Sequence, residues 1–229
     1  MFVYLSSLVI LSLLIGSFVS AITYRIPRKI DFIYGRSFCD NCKMKLHWYD
    51  NIPLFSYIFY LGKSRCCNKK ISFRYPLIEI ATVVGFIFLY LSSLPPIYYI
   101  LFTLCIMIFV IDLEHQIIPD ELSWAILLLA IVTSSFLFTN IFAALLLSLS
   151  ILFLHLITKG RGMGLGDVKL VLALGSWTGL EKGLYFLLYS FLTGGLFACI
   201  LLILGKAKLK TKIAFGPFLL IGFWLVTLI

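Results

Sequence analysis

The stretch Ile97-Tyr98-Tyr99-Ile100-Leu101-Phe102-Thr103-Leu104-Cys105-Ile106-Met107-Ile108-Phe109-Val110-Ile111-Asp112 carries no charge until its last residue. A run this long and this apolar reads as a membrane-spanning helix, which takes about 20 residues. The run is one of several. Comparable stretches cover residues 2–23, 77–93, 122–138, 141–157, 167–180, 183–204 and 213–229. Pro95-Pro96, Thr139-Asn140 and Gly205 punctuate the connections between them. Of the 229 residues, 62% are hydrophobic and 13% charged. That charged share is about half the usual one for soluble proteins. A soluble domain cannot hide that much apolar surface, and a disordered chain does not contain it. The expected fold is therefore an all-α polytopic membrane protein of about eight transmembrane helices. One cytosolic Cys-containing loop module lies outside the bilayer.

The charges set the expected orientation. Eleven of the 19 Lys and Arg lie between residues 24 and 75, opposed by Asp31, Asp40 and Asp50, so this stretch carries all but one of the nine net positive charges. A basic stretch of this kind can suit nucleic acid. In a chain this apolar it reads instead as a cytosolic loop beside anionic headgroups, and no nucleic-acid partner is expected. The first apolar run has no Lys or Arg before it and Arg25, Arg28 and Lys29 just after it. A cleaved signal peptide has the opposite order, so the run is expected to stay as a helix with its N-terminus outside. Threading eight spans from there puts every Lys and Arg except Lys182 on one face, including Arg161 and Lys169 in one loop and Lys206, Lys208, Lys210 and Lys212 in another. The expected domains are a first transmembrane helix (1–23), a basic cytosolic loop with a Cys cluster (24–76) and a transmembrane core (77–229). No internal repeat is visible.

Acids near spans are costly and each needs a reason. Asp112 ends the third run and Asp167 opens the sixth, so both fall at one membrane depth on the cytosolic face. Two aspartates at one level suit an aspartyl peptidase. One carboxylate, ionised, takes a proton from water, and the other, protonated, polarises the scissile carbonyl. The helix dipole favours the anion at Asp167 and disfavours it at Asp112, which makes Asp112 the expected holder of the shared proton. Taken singly, each aspartate also suits a helix cap or an interfacial anchor. The loop Gly160-Arg161-Gly162-Met163-Gly164-Leu165-Gly166-Asp167-Val168-Lys169 has alternating glycines that let the backbone bend and approach closely. It lacks the Gly-Lys-Ser/Thr ending of a phosphate-cradling loop.

Asp112, Glu114, Asp120 and Glu121 form an acidic cluster that no Lys or Arg interrupts along the sequence. It can draw in a basic peptide on an otherwise positive surface. The alternative is ordinary capping, with Asp120 as the N-cap of the fourth span. His115 suits a proton relay or a solvated loop residue, and His155 a hydrogen-bonded packing residue. Cys105 and Cys199 lie inside spans and are expected to pack there. Tyr98 and Tyr99 suit an outer aromatic belt, and Trp48 and Tyr49 suit contact with lipid.

Taken together, the motifs resemble those of the type IV prepilin peptidases, intramembrane aspartyl peptidases with a Gly-x-Gly-Asp signature. The matching pieces are Gly16-Ser17-Phe18 with Tyr24-Arg25-Ile26-Pro27, Trp48-Tyr49-Asp50-Asn51-Ile52-Pro53-Leu54, and Ile71-Ser72-Phe73-Arg74-Tyr75-Pro76 with Glu79. Ile111-Asp112 with Pro119-Asp120, Gly164-Leu165-Gly166-Asp167-Val168-Lys169 and Gly216-Pro217 complete the series. The resemblance implies cleavage of the short basic leader of type IV prepilins or pseudopilins at the cytosolic face of the bacterial cytoplasmic (inner) membrane, in pilus assembly, protein secretion or DNA uptake. It implies Asp112 and Asp167 as the catalytic pair, with Gly164, Gly166 and Lys169 in the active-site loop. Glu114, Asp120 and Glu121 are then candidates for binding the leader. It further implies N-methylation of the new N-terminal residue with S-adenosylmethionine as donor, and Gly16 and Glu79 as candidates for that function.

Members of the family with the long loop usually carry two C-x-x-C pairs, which suggests a structural zinc site. Here Cys39-Asp40-Asn41-Cys42 is the first pair. In the second, Cys67 holds one expected position, Ser64 the other, and Cys66 is extra. Cys39, Cys42, Cys66 and Cys67 are the candidate ligands, the alternative being reduced cysteines in a folded loop. A disulfide is not expected on a cytosolic loop. Three other functions compete. One is a leader peptidase without methylation. Another is a transporter, which predicts acids deep in the spans and repeats. The third is a membrane scaffold whose Cys loop docks a partner.

Overall fold

The computed structural model describes the chain except residues 1, 32–36, 40, 48, 49, 51, 53, 134–136, 161, 207, 209, 210, 212 and 229. Arg36, Asp40, Trp48, Tyr49, Asn51, Pro53, Arg161, Lys210 and Lys212 therefore lie outside the described residues. The described residues form eight α-helices, namely α1 (Phe2–Arg25), α2 (Phe55–Phe59), α3 (Arg74–Leu91), α4 (Ile97–His115), α5 (Asp120–Thr133), α6 (Leu137–Ile157), α7 (Leu165–Ile203) and α8 (Gly216–Leu228). The all-α expectation is met. Five stretches are long and apolar enough to cross a membrane: Tyr4–Arg28, Arg74–Leu91, Ile97–His115, Phe138–Ile157 and Leu165–Ile203. α5 and α8, with 14 and 13 residues, fall short of that length.

The sixth and seventh expected spans are joined differently from the sequence reading, which left a break around Glu181-Lys182. α7 runs for 39 residues without a loop. At about 1.5 Å per residue a straight helix of that length exceeds 55 Å, far more than the roughly 30 Å hydrocarbon core. The interruption is a single residue, Gly179, with φ 69° and ψ −169°. That backbone region is open to glycine and closed to residues with a Cβ. The turn is thus made by one glycine, and the two charges on its C-terminal side stay helical.

The chain forms two compact units, Met1–Met107 and Ile108–Ile229. In the first, α1 and α3 pack where Gly16 leaves room: a Cβ there would sit 2.8 Å from the Glu79 backbone. Small residues let membrane helices approach in this way. Arg74 closes the same pair, its guanidinium donating to the Ser20 carbonyl at 3.2 Å and to Thr23 Oγ1 at 2.8 Å. Phe86 of α3 meets Tyr99 of α4 edge-on at 5.0 Å. In the second unit, Gly175 of α7 lies against Ala144 of α6, where a Cβ would come within 3.2 Å, and Gly222 of α8 lies against Ser190 and Phe186 of α7. The Trp177 indole donates to the Ile126 carbonyl at 3.2 Å and ties α7 to α5. Outward-facing Phe138 and Ile203, at 86% and 85% exposure, match the lipid contact expected of a membrane protein. Cys105 is buried as expected, but Cys199 is exposed rather than packed, because α7 turns that position away from its neighbours.

Replacing Gly179 with Ala forces a Cβ into that turn. We expect a loss of about 1–3 kcal/mol, read as a lowered thermal unfolding midpoint in detergent. Gly195→Ala is the control. It is helical with open space where its Cβ would sit, and should leave the midpoint unchanged or raise it.

Candidate active site and metal centre

Asp112 lies in the last turn of α4 and Asp167 in the first turn of α7. Both are almost fully buried, at 4% and 8% exposure. Each is held in the same way. Asp167 Oδ2 accepts the Gly164 N–H at 2.9 Å, and Asp112 Oδ2 accepts the Gly216 N–H at 2.9 Å. Each donor stands at a helix start, Gly164 before α7 and Gly216 at the head of α8. Each Oδ1 accepts no hydrogen bond from the described residues. The dipole difference expected between the two aspartates is therefore offset, since Asp112 gains the N-terminus of α8.

Gly166 of the signature loop and Gly216 of α8 both close on Ile118. A Cβ on Gly166 would lie 3.1 Å from Ile118 Cβ, and one on Gly216 would lie 3.3 Å from Ile118 Cδ1 and 2.6 Å from Asp112 Oδ2. Asp167 is near enough to act electrostatically on Asp112. Ile118 went unnoticed in the sequence. Its one signal was an apolar residue in the short connection Gln116-Ile117-Ile118-Pro119. His155 fixes the glycine loop from α6. Its Nδ1 lies 2.6 Å from the Met163 carbonyl, an acceptor, so this nitrogen carries the proton. The packing reading of His155 holds, and its partner is the signature loop itself. His115 sits 3.9 Å from Glu114, and its Nε2 has no hydrogen-bond partner among the described residues.

The acidic cluster differs in space from its appearance in sequence. Lys169, one helical turn into α7, donates to both oxygens of Asp120 at 2.8 and 2.7 Å. Asp120 is thus paired with a cation and heads α5, Glu121 follows it in the first turn, and Glu114 lies 3.9 Å from His115. The fold brings Lys169 across 49 positions to interrupt a run that was uninterrupted along the chain.

The four loop cysteines gather in the first unit, with all four Sγ atoms within 4.8 Å of one another. Cys39 and Cys67 lie 3.8 Å apart, and Cys42 and Cys66 lie 3.1 Å apart. A tetrahedral zinc with bonds of about 2.3 Å sets its sulfurs roughly 3.8 Å apart, so the donor set fits. The scaffold is a repeat that the sequence concealed. Phe38 bridges Lys45, and Lys63 bridges Lys70. The Cys39 N–H donates to Met44 O as the Ser64 N–H does to Lys69 O, and the Lys43 N–H donates to Cys39 O as the Asn68 N–H does to Ser64 O. Lys43 and Asn68 both adopt positive φ, 60° and 56°. Ser64 therefore occupies the position of Cys39 in a second copy of the same turn, and Cys66 supplies the missing sulfur from two residues on. The Ser64 hydroxyl stays in the cluster, 3.3 Å from Cys39 Sγ and 3.0 Å from Cys66 Sγ. Burial opposes ionisation of Cys39, but hydrogen bonds from the Cys42 and Asn41 backbone and the Ser64 hydroxyl outweigh it and hold the thiol at about 6. At Cys66 the Ser64 hydroxyl favours the thiolate, but Cys42, burial and Cys39 oppose it and the thiol is pushed up to about 12. Without a cation the cluster cannot hold all its sulfurs as thiolates; a divalent metal would let it.

Gly16 and Glu79 meet at the α1–α3 contact. Glu79 is 6% exposed, and its Oε2 accepts the Leu54 N–H at 2.8 Å.

Comparison with known proteins agrees with this arrangement. Residues 99–199 match the type IV leader peptidase family, and residues 10–93 match the Bacterial Peptidase A24 N-terminal domain. A prepilin leader peptidase/N-methyltransferase of Vibrio cholerae is 34% identical, with 98% of this chain and 96% of that protein aligned. The chain belongs to the type IV leader peptidase family. Relatives bearing the same description include one from Pectobacterium carotovorum, 30% identical over 96% of this chain and 91% of its own length, and one from Klebsiella pneumoniae, 34% identical over 79% and 87%. No solved structure matches. The two matched regions contain the cysteine cluster and both aspartates, while α8 lies beyond them.

The cysteine geometry makes a direct prediction. Cobalt(II) added to the purified protein should give a tetrahedral thiolate spectrum at about one ion per chain. Cys66→Ser should abolish it. Ser64→Cys in that background should restore it, because position 64 is the true counterpart of Cys39.

Proposed function

We propose that this chain removes the basic leader of type IV prepilins or pseudopilins and N-methylates the residue exposed by the cut. The observation that carries the peptidase reading is the matched pair of carboxylates. Each has one oxygen pinned by a helix-start N–H and the other without a hydrogen-bond partner among the described residues. A water between the two unpinned oxygens can lose a proton to one carboxylate while the other, protonated, donates to the scissile carbonyl. Gly164 and Gly166 shape the turn that delivers Asp167. Lys169 acts at a distance, by fixing the start of α5 through Asp120. The leader, being basic, is drawn to Glu114 and Glu121, the cluster members that Lys169 does not neutralise.

The excess of Lys and Arg over residues 24–75 supports placement of the aspartates and the loop on the cytosolic side of the inner membrane, against anionic headgroups, with the N-terminus outside. The basic residues serve the lipid surface; no nucleic-acid partner is invoked. Cys39, Cys42, Cys66 and Cys67 hold a structural zinc. Four protein thiolates leave no open coordination position, so the ion pins the loop and does not take part in hydrolysis. The methyl donor is S-adenosylmethionine, and the unit containing Gly16 and Glu79 serves the transfer. A peptidase without methylation is the second reading. It rests on the same two aspartates and on none of the first unit.

Co-expression with a prepilin, followed by mass spectrometry of its N-terminus, tests both halves. Cleavage should fall at least about a hundredfold in Asp112→Asn and in Asp167→Asn. Gly216→Ala should also lose most activity, since the new Cβ would displace the Asp112 carboxylate. Cleavage retained in both aspartate variants would remove the peptidase reading. An unmethylated product from the wild type would leave the peptidase alone.

A further inference from the structure

The first unit contains a cavity of about 650 Å³ bounded by the end of α1, the cysteine turns, α2 and the start of α3. Its volume lies within the range of about 300–1,000 Å³ usual for small-molecule sites. Two carboxylates line it, and neither is fully satisfied by the protein. Glu79 uses one oxygen on the Leu54 N–H, and its other oxygen has no partner among the described residues. Asp50 uses Oδ2 on the His47 N–H at 3.0 Å, while its Oδ1 is buried, accepts no hydrogen bond and lies 3.7 Å from Arg65. A buried acceptor without a donor is costly, and Asp50 Oδ1, on a wall that also carries the Glu79 carboxylate, points to a ligand that brings donors.

The rest of the wall narrows the chemistry. Tyr57 and Tyr60 present rings to the cavity, and the Tyr57 ring is fixed between Phe73, edge-on at 6.3 Å, and Gly62, where a Cβ would lie 3.1 Å from it. A fixed ring suits stacking on a flat heterocycle and the face of a sulfonium cation. Arg25 and Arg65 also line the wall, Arg25 donating to the Asp31 carbonyl at 3.5 Å and Arg65 lying 3.7 Å from Asp50. An S-adenosyl amino acid offers a flat ring and a sulfonium for Tyr57, and hydroxyl and ammonium donors for the two carboxylates. A lipid phosphate brings no donor for the Asp50 and Glu79 carboxylates.

We infer that this cavity binds the methyl donor, with Asp50 and Glu79 receiving its hydroxyl or ammonium donors and Tyr57 its ring. The inference rests on the N-methyltransferase half of the proposed function. The full-length protein in nanodiscs is titrated with S-adenosylhomocysteine by calorimetry, in the wild type and in the isosteric variants Asp50→Asn and Glu79→Gln. Both variants should raise Kd about tenfold or more, the effect of losing a charge-assisted hydrogen bond. Metal content and unfolding midpoint, measured on the same samples, report whether they fold. As a second measurement that needs no variant, wild type irradiated with radiolabelled S-adenosylmethionine should carry its label in peptides covering Tyr57, Tyr60 or Tyr75. If the wild type binds the ligand and methylates prepilin, yet both folded variants bind as tightly as it does or the label falls in Ile108–Ile229, the site is elsewhere and only this inference fails. If the wild type neither binds the ligand nor methylates prepilin, the methyltransferase reading fails and the inference with it.

Discussion

Everything in the second unit answers to one constraint: two carboxylates have to be kept in an apolar protein with no cation paired to either among the described residues. A buried carboxylate is expensive unless hydrogen bonds replace its water. The fold meets that cost with the only donors a helix gives away freely, the N–H groups at its start. This is why α7 begins just before Asp167 and why α8 begins where it does. Gly216 must be close enough for its N–H to reach Asp112 and must carry no Cβ, which would collide with the same oxygen. Pro217 follows at a position where the first turn tolerates its missing N–H. The placement of α8 follows from the site. Its start is dictated by Asp112 rather than by the membrane boundary.

Much of this was legible in the sequence, because hydropathy and charge act locally. Apolar runs give helices, and the border aspartates stand out as charges at their ends. What was not legible depends on distant residues meeting. The Asp120–Lys169 pair joins α5 to α7 and changes the charge of a cluster that, along the chain, had no cation in it. The continuity of α7 past Glu181 and Lys182 was hidden by their charge, which looks like a loop signal. The actual break is at Gly179, where only the backbone angle reveals it. The dipole difference expected between the two aspartates was read without α8, whose contribution to Asp112 comes from 104 residues away.

The cysteine turns show how a backbone repeat can outlast its side chains. Two turns share bridges, hydrogen bonds and a left-handed residue, yet differ at the ligand position itself, Cys39 against Ser64. Counting cysteines along the sequence registers a displaced pair. The hydrogen-bond pattern shows instead that the turn is intact and that the ligand has moved within it. Cys66 sits in the place of Asn41, at the outer bend of its turn, and reaches the cluster because that bend faces the partner turn. Ser64, left behind, keeps a hydroxyl beside two sulfurs, where it stabilises thiolate charge in the way that outer-shell donors do around metal ligands.

Glu79 plays a part in the first unit like that of Asp112 in the second, with one difference. Its anchoring N–H comes from Leu54, which is held at φ 55° just before the short helix α2. Leu54 belongs to the basic loop, so a carboxylate on a membrane helix holds the loop by its backbone. The contact depends on α1 lying close behind Glu79, and Gly16 permits that approach. A larger residue at position 16 would push α3 outward, carry Glu79 with it and loosen the loop from the cavity wall. The effect of such a change would therefore be felt first in the cavity and only afterwards in the stability of the helix pair. Gly16 and Glu79 thus act as one device, in which the glycine sets the position and the carboxylate uses it.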